Sequence, residues 1–151
     1  MTLNYAGIAG DPKVQRAFHR KGNLLDDPPW LPSGPVGRKR GNIKRFQRGY
    51  LAYAGGGNHS RSTQLILAYE DSLHLGGGSP WEVPFGQLVG ENSYRTLSRF
   101  YTGYGEQVKQ GKLMNQGNAY LEKEFPLLDY ITGCDIVAEN LPYNHHPNQP
   151  Q

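Results

Sequence analysis

Few residues of this chain combine a reactive or hydrogen-bonding side chain with a special setting, and Gln64 is the first of them. It opens the apolar run Leu65-Ile66-Leu67-Ala68, directly after the turn GGGNHS and the link Arg61-Ser62-Thr63. A side-chain amide at the mouth of a strand offers both donors and an acceptor. The strand before it ends in Ala54-Gly55-Gly56-Gly57, whose small residues let another backbone approach closely. The strand after it ends in Phe85-Gly86. These residues predict a shallow groove with an amide at its rim. Taken alone, Gln64 also reads as a solvated edge residue.

Other constellations point to less. The basic stretch GRKRGNIKRFQR (residues 37–48) could meet phosphates. Its aromatics are few and the formal net charge is only +3, so it reads as a solvated insertion loop, and no nucleic-acid partner is expected. His145-His146 could meet a metal adventitiously, but they stand in an Asn/Pro/His-rich end. Glu106, Glu122 and Glu124 read as surface charges. The Gly-Gly-Gly runs at 55–57 and 76–78 lack the lysine or following helix of a phosphate loop, which argues against nucleotide binding. The single cysteine, Cys134, can form neither an intramolecular disulfide nor a cysteine metal cluster. It reads as a small buried residue of the last strand. No cofactor and no metal are expected.

The elements that position these residues follow from composition and pattern. A length of 151 residues suits one domain. Twenty glycines, eleven prolines and an apolar fraction of 36% favour turns and short strands over a helical bundle. Ten tyrosines point the same way. Gly10-Asp11-Pro12 is a turn, and residues 14–20 form a short strand or one helical turn. Residues 22–47 form a loop insertion, because Pro28, Pro29, Pro32 and Pro35 fix φ and remove donors.

Strands are predicted over 48–57, 64–70 and 83–89, with Tyr50 and Ala52 on one face and Leu51 and Tyr53 on the other. Tyr94, Leu97 and Tyr101 predict an amphipathic helix of about three turns over 92–104, capped by Asn92 or Ser93. A polar glycine-rich loop, a short helix over 119–125 and a final strand over 129–137 complete the domain (1–137), ahead of a disordered tail (138–151). There is no internal repeat. The expected fold is mainly β, an antiparallel barrel or sandwich with one or two helices. No apolar run approaches the roughly 20 residues of a membrane span. The start lacks a signal-peptide pattern, so a cytoplasmic or organellar protein is expected.

Several stretches resemble one family. RGYLAYAGGGNHSRSTQLILAY is similar to the cyclophilin pattern RG-x-L-x-M-A followed by N-x-x-x-SQ-F-F-I. PWEVPFGQLVGEN resembles its V-F-G-K-V-x-E-G segment. YGEQVKQGKLMNQGNAYLEKEFPLLDYITGCDIV resembles a subgroup of cyclophilin-type peptidyl-prolyl isomerases that carry YGE and then GN-x-YL-x-x-FP-x-LDYI. LNYAGIAGDP resembles the M-x-Q-x-G-I-x-GDP turn of that subgroup. The likeness covers Arg48 to Val137.

This resemblance implies a cyclophilin-like antiparallel β-barrel with capping helices that binds a prolyl peptide in a groove on its outer wall. It implies a groove position for Gln64, peptide-backbone contacts at Ala54 and Gly55, and proline-pocket positions for Ile66 and Leu75. Leu3 and Tyr5 match a methionine and a glutamine of the groove. The implied reaction is rotation about an X-Pro amide, with a barrier of about 18–20 kcal/mol set by C–N resonance. It needs an apolar pocket for the ring and a donor at the prolyl nitrogen, binding matched to the twisted state.

The family's donor is an arginine upstream of the GDP turn, where this sequence has no such strand. Phe18-His19-Arg20 matches its F-H-R triplet, which makes Arg20 the alternative donor, although the turn then falls on the wrong side. Ile66 stands where the pocket has an aromatic, His74 near a tryptophan position, and Glu82 near a groove histidine, with Trp81 beside it. These departures imply weak isomerase activity, or else a catalytically inactive binding module for a proline-containing partner. Absent amino-terminal strands would leave an open sheet edge and a route to oligomers.

Overall fold

The computed structural model describes residues 3–7 (main chain only), 10–28, 46–71, 79 and 81–137. The elements are β1 (Leu3–Gly7), α1 (Pro12–His19), β2 (Tyr50–Tyr53), β3 (Gln64–Ala68), β4 (Pro84–Gln87), α2 (Glu91–Leu97), α3 (Gln110–Gln116) and α4 (Asn118–Glu124). The four strands form one antiparallel sheet in the order β1-β3-β2-β4.

The core grows from the alternation of β2 and β3. Ala52 stands opposite Ile66, and Tyr5 of β1 pairs with Ile66 from the other side. Ala52, Ile66, Ala68 and Phe46 are almost completely buried together, with Tyr50 and Ala54 packed at their margin. Phe46 meets Tyr50 edge-on at 6.3 Å between ring centres. Burying a side chain such as Phe46 or Ile66 stabilises the fold by about 1.5–3 kcal/mol each.

The expected mainly-β barrel is overturned. The sheet is open, ending at β1 on one side and β4 on the other, and the four helices hold more residues than the four strands. A closed barrel leaves no free strand edge, whereas among the described residues the four strands, each of four or five residues, leave β1 and β4 as edges. Residues 14–20 resolve in favour of helix. Asp11 caps α1 by accepting from Lys13 N–H at 2.7 Å, and Pro12 supplies a preset φ at the first position. The stretch read as a polar loop contains α3. The predicted final strand over 129–137 does not form: no strand is present there, and Cys134, expected to be buried in it, is exposed.

The three other predicted strands are present but shorter than predicted, β2 by two residues at its start and four at its end, and the helix near 119–125 lies one residue earlier. α2 is two turns rather than three and begins after Gly90, not after Asn92 or Ser93. It is fastened to the sheet by Arg48. The Arg48 Nε donates to the Tyr69 carbonyl at 3.1 Å, and its Nη2 to Ser98 Oγ at 2.6 Å and the Tyr94 carbonyl at 3.3 Å. α3 turns into α4 at Gly117, where φ is +62°. A side chain there would bring its Cβ against the Gly10 carbonyl, which instead accepts the Asn118 N–H at 3.0 Å. Glycine is therefore required at this corner.

Candidate functional site

The Gln64 end of the sheet gathers most of the residues that the sequence singled out. Gln64 stands opposite Gly7, and its carbonyl accepts the Ala54 N–H at 3.0 Å. The same register sets Tyr5 opposite Ile66 and Leu3 opposite Ala68. Gln64 and Ala54 thus meet at one end of the sheet with Gly55 at their margin, Tyr5 and Ile66 stand two residues further along, and Leu3 lies at the opposite end of β3. Leu75 and His74 lie outside the described residues, as do residues 29–45, 138–151 and with them most of the basic stretch and the His145-His146 pair.

The details differ from an open groove. The Ala54 N–H is already used within the sheet. Ile66 is 1% exposed and belongs to the core rather than to a pocket wall. Gly55 does allow a close approach, but the group that uses it is Trp81: a Cβ at Gly55 would lie 2.9 Å from the indole Cδ1 and 3.0 Å from Ser60 Oγ. Ser60 closes the preceding turn on itself, accepting from Gly56 N–H at 2.8 Å and Gly57 N–H at 2.9 Å and donating to the Gly57 carbonyl at 2.6 Å. Glu82 follows Trp81. Burial raises its carboxyl above the ordinary value, partly offset by a main-chain hydrogen bond at Gly55. Gln64 itself is half-buried, which leaves part of its surface open to a ligand.

Arg20 is elsewhere in function. It ends α1, its N–H donating to the Arg16 carbonyl at 3.1 Å. With Arg16 and His19 it lines an open depression of about 350 Å³. α1 is joined to the foot of β3 through its one buried residue, Gln15. Thr63 Oγ1 donates to Gln15 Oε1 at 2.7 Å, and the Gln15 amide nitrogen lies 2.7 Å from His19 Nε2. Since Gln15 accepts from Thr63, it donates to His19, and the neutral imidazole carries its proton on Nδ1.

One cluster escaped the sequence reading. Asp26 and Arg61 are both buried, 3% and 5% exposed. The Arg61 guanidinium donates to Asp27 Oδ2 at 2.9 Å and to the Leu25 carbonyl, and its Nε lies 3.6 Å from Asp26 Oδ1. Asp26 and His59 exchange two contacts: His59 N–H donates to Asp26 Oδ2, and Asp26 N–H donates to His59 Nδ1, each at 3.0 Å. Leu24 bridges to Arg61 through the main chain at 2.8 Å. His59 holds a positive φ of 54°, a conformation that most side chains avoid. The paired acids Asp26-Asp27 before two prolines, and an arginine just ahead of an apolar strand, were the available signals. Their partners are more than thirty residues away, so spacing alone could not join them. Chemically this cluster is a cross-link, although Asp26 Oδ1 and Arg61 Nε, 3.6 Å apart, are buried without a hydrogen-bond partner among the described residues. Among the described residues, no group of three or more His, Cys, Asp or Glu side chains is placed to hold a metal.

Against this geometry, no protein-family model matches the chain, and neither a curated protein nor a solved structure matches it. The functional reading therefore rests on the chain's own residues.

Proposed function

We propose that the chain is a non-catalytic binding module that holds an extended, proline-containing segment of a partner protein at the Gln64 end of its sheet. The observation that carries this reading is the meeting of Gln64 and Ala54 beside the Trp81-covered Gly55. A partly exposed amide and an indole that share one glycine turn can hold an X-Pro segment, the proline ring packing on the indole and the amide meeting the peptide main chain.

Catalysis asks for more: a pocket that encloses the ring and a cationic donor at the prolyl nitrogen. Ile66 lies in the core, and Arg61, the arginine nearest to Gln64 in sequence, is committed to Asp26 and Asp27. Titration of a short peptide with a central X-Pro bond, followed through the Gln64 side-chain amide and Trp81 indole signals, tests the reading. Binding weakened about tenfold by Gln64→Ala, with no acceleration in a protease-coupled isomerisation assay, is expected. Acceleration abolished by Arg20→Ala would restore the isomerase reading. No signal change at millimolar peptide would remove both.

A further inference from the structure

We propose that residues 129–137 form an exchange strand: in a homodimer, this segment of one chain pairs with the open edge of β4 in the other. The stretch is strand-forming in composition, with Tyr130, Ile131, Thr132, Ile136 and Val137 close together. Yet it is irregular and exposes its apolar side chains: Ile131 is 70% exposed, Ile136 76% and Val137 97%. Among the described residues it makes no main-chain hydrogen bond of its own; the last such bond before it is from Leu128 to Phe125.

Its base is fixed. The Tyr101 N–H donates to Asp129 Oδ2 at 2.7 Å, and the Leu127 N–H to the Tyr104 hydroxyl at 3.3 Å. From that anchor, eight extended residues reach about 26 Å.

The matching surface is at the far side of the sheet. β4 is the last strand in the order, and its outer edge has no pairing partner among the described residues. Leu88 N–H bonds inward to the Gly49 carbonyl at 2.8 Å, so the alternation of an antiparallel ladder turns the main chain of Gln87 outward. Phe85 is 56% exposed and Val89 75% exposed along this edge, and the space beside Gly86 is open. An exposed strand edge is a template for another strand. Both halves of the contact stand on every copy of the chain, so a two-fold pair makes it twice. The occupant we assign is therefore a second copy rather than an unrelated protein. This inference uses a different edge from the Gln64 site and does not rest on the proline-segment reading.

The test is complementation between two variants of the full chain. Ile136→Pro spoils the strand and leaves the edge intact; Gln87→Pro spoils the edge and leaves the strand intact. Light scattering after size exclusion is expected to show a dimer for the native chain at about 10 μM. It is expected to show monomers for each variant alone, and a partial return of dimer when the two are mixed, because one of the two exchanges is then whole.

The one cysteine gives a readout free of mutation. The Cys134 thiol should react with a disulfide reagent about tenfold more slowly at high protein concentration than at low, since pairing covers it. A native chain that stays monomeric with a uniformly reactive Cys134 overturns the proposal. So does a monomer whose Cys134 is protected at every concentration, which would mean that the strand folds onto its own chain. A dimer unaffected by either proline variant overturns it too. If a variant fails to fold, the concentration dependence at Cys134 decides.

Discussion

Two regions of this molecule invert the usual arrangement in opposite ways. Where residues 24–27 meet 59–61, charge is inside: the Asp26 carboxylate and the Arg61 guanidinium are withdrawn from water, each held by neighbours through some of its atoms and facing the other at 3.6 Å. From Leu127 to Val137, hydrocarbon is outside: five large apolar side chains lie in water without a main-chain ladder. The first region owes its order to directed polar contacts, which tolerate little change. The second lacks a partner for its apolar surface, and its structure is open to capture by another strand. The difference teaches that a short chain can spend its specific contacts on a loop corner while leaving a strand-forming sequence unpaired.

The comparison can be broken most severely at the buried charges. Asp26→Ala removes the carboxylate that faces Arg61 and the acceptor of the His59 N–H, while Arg61 keeps Asp27; a loss of about 2–3 kcal/mol in urea unfolding is expected. A loss below about 1 kcal/mol would mean that the corner is not closed in solution. Next comes the polar link between α1 and the sheet. Thr63→Val removes the donor to the buried Gln15, at a cost of about 1–3 kcal/mol, and detaches α1, seen as earlier amide exchange in residues 12–19.

On the apolar arm the effect on monomer stability should be small. Ile131→Lys changes the unfolding free energy by no more than about 0.5 kcal/mol while abolishing self-association, measured by sedimentation. The smallest effect is electrostatic. Glu82 binds its proton more tightly folded than unfolded, so its contribution is full below the unfolded pKa and is lost as pH rises through the folded value. Glu82→Gln should therefore flatten the stability profile on the acid side and leave the variant slightly more stable at neutral pH.

The sequence disclosed the parts that local pattern governs. Alternation located β2, β3 and β4, and the apolar spacing near Tyr94 and Leu97 located α2. Asp11-Pro12 is a helix start, and reading it as a turn alone hid α1 behind a strand alternative. What could not be read was whether strands find neighbours. DYITGCDIV has strand composition, but a ladder needs a partner edge, and local propensity does not supply one. Gln64 and Ala54 meet through the main chain of the sheet. The burial of Ile66 fits the apolar run it stands in; what the sequence did not show is that Phe46, placed at the margin of a basic loop, packs beside it. Asp26, His59 and Arg61 were missed because their pairing spans more than thirty residues.

The glycine corner at residue 117 also constrains how the chain comes into being. The hydrogen bond from Asn118 to Gly10 joins residues that leave a ribosome about 5–20 s apart at ordinary translation speed. Until then, among the described residues, the first helix is held through Gln15 and Thr63, which cannot meet before the third strand begins to be made. During synthesis the amino-terminal helix is therefore a loose end awaiting its clasp, and chaperones or proteases that act on nascent chains will find it there.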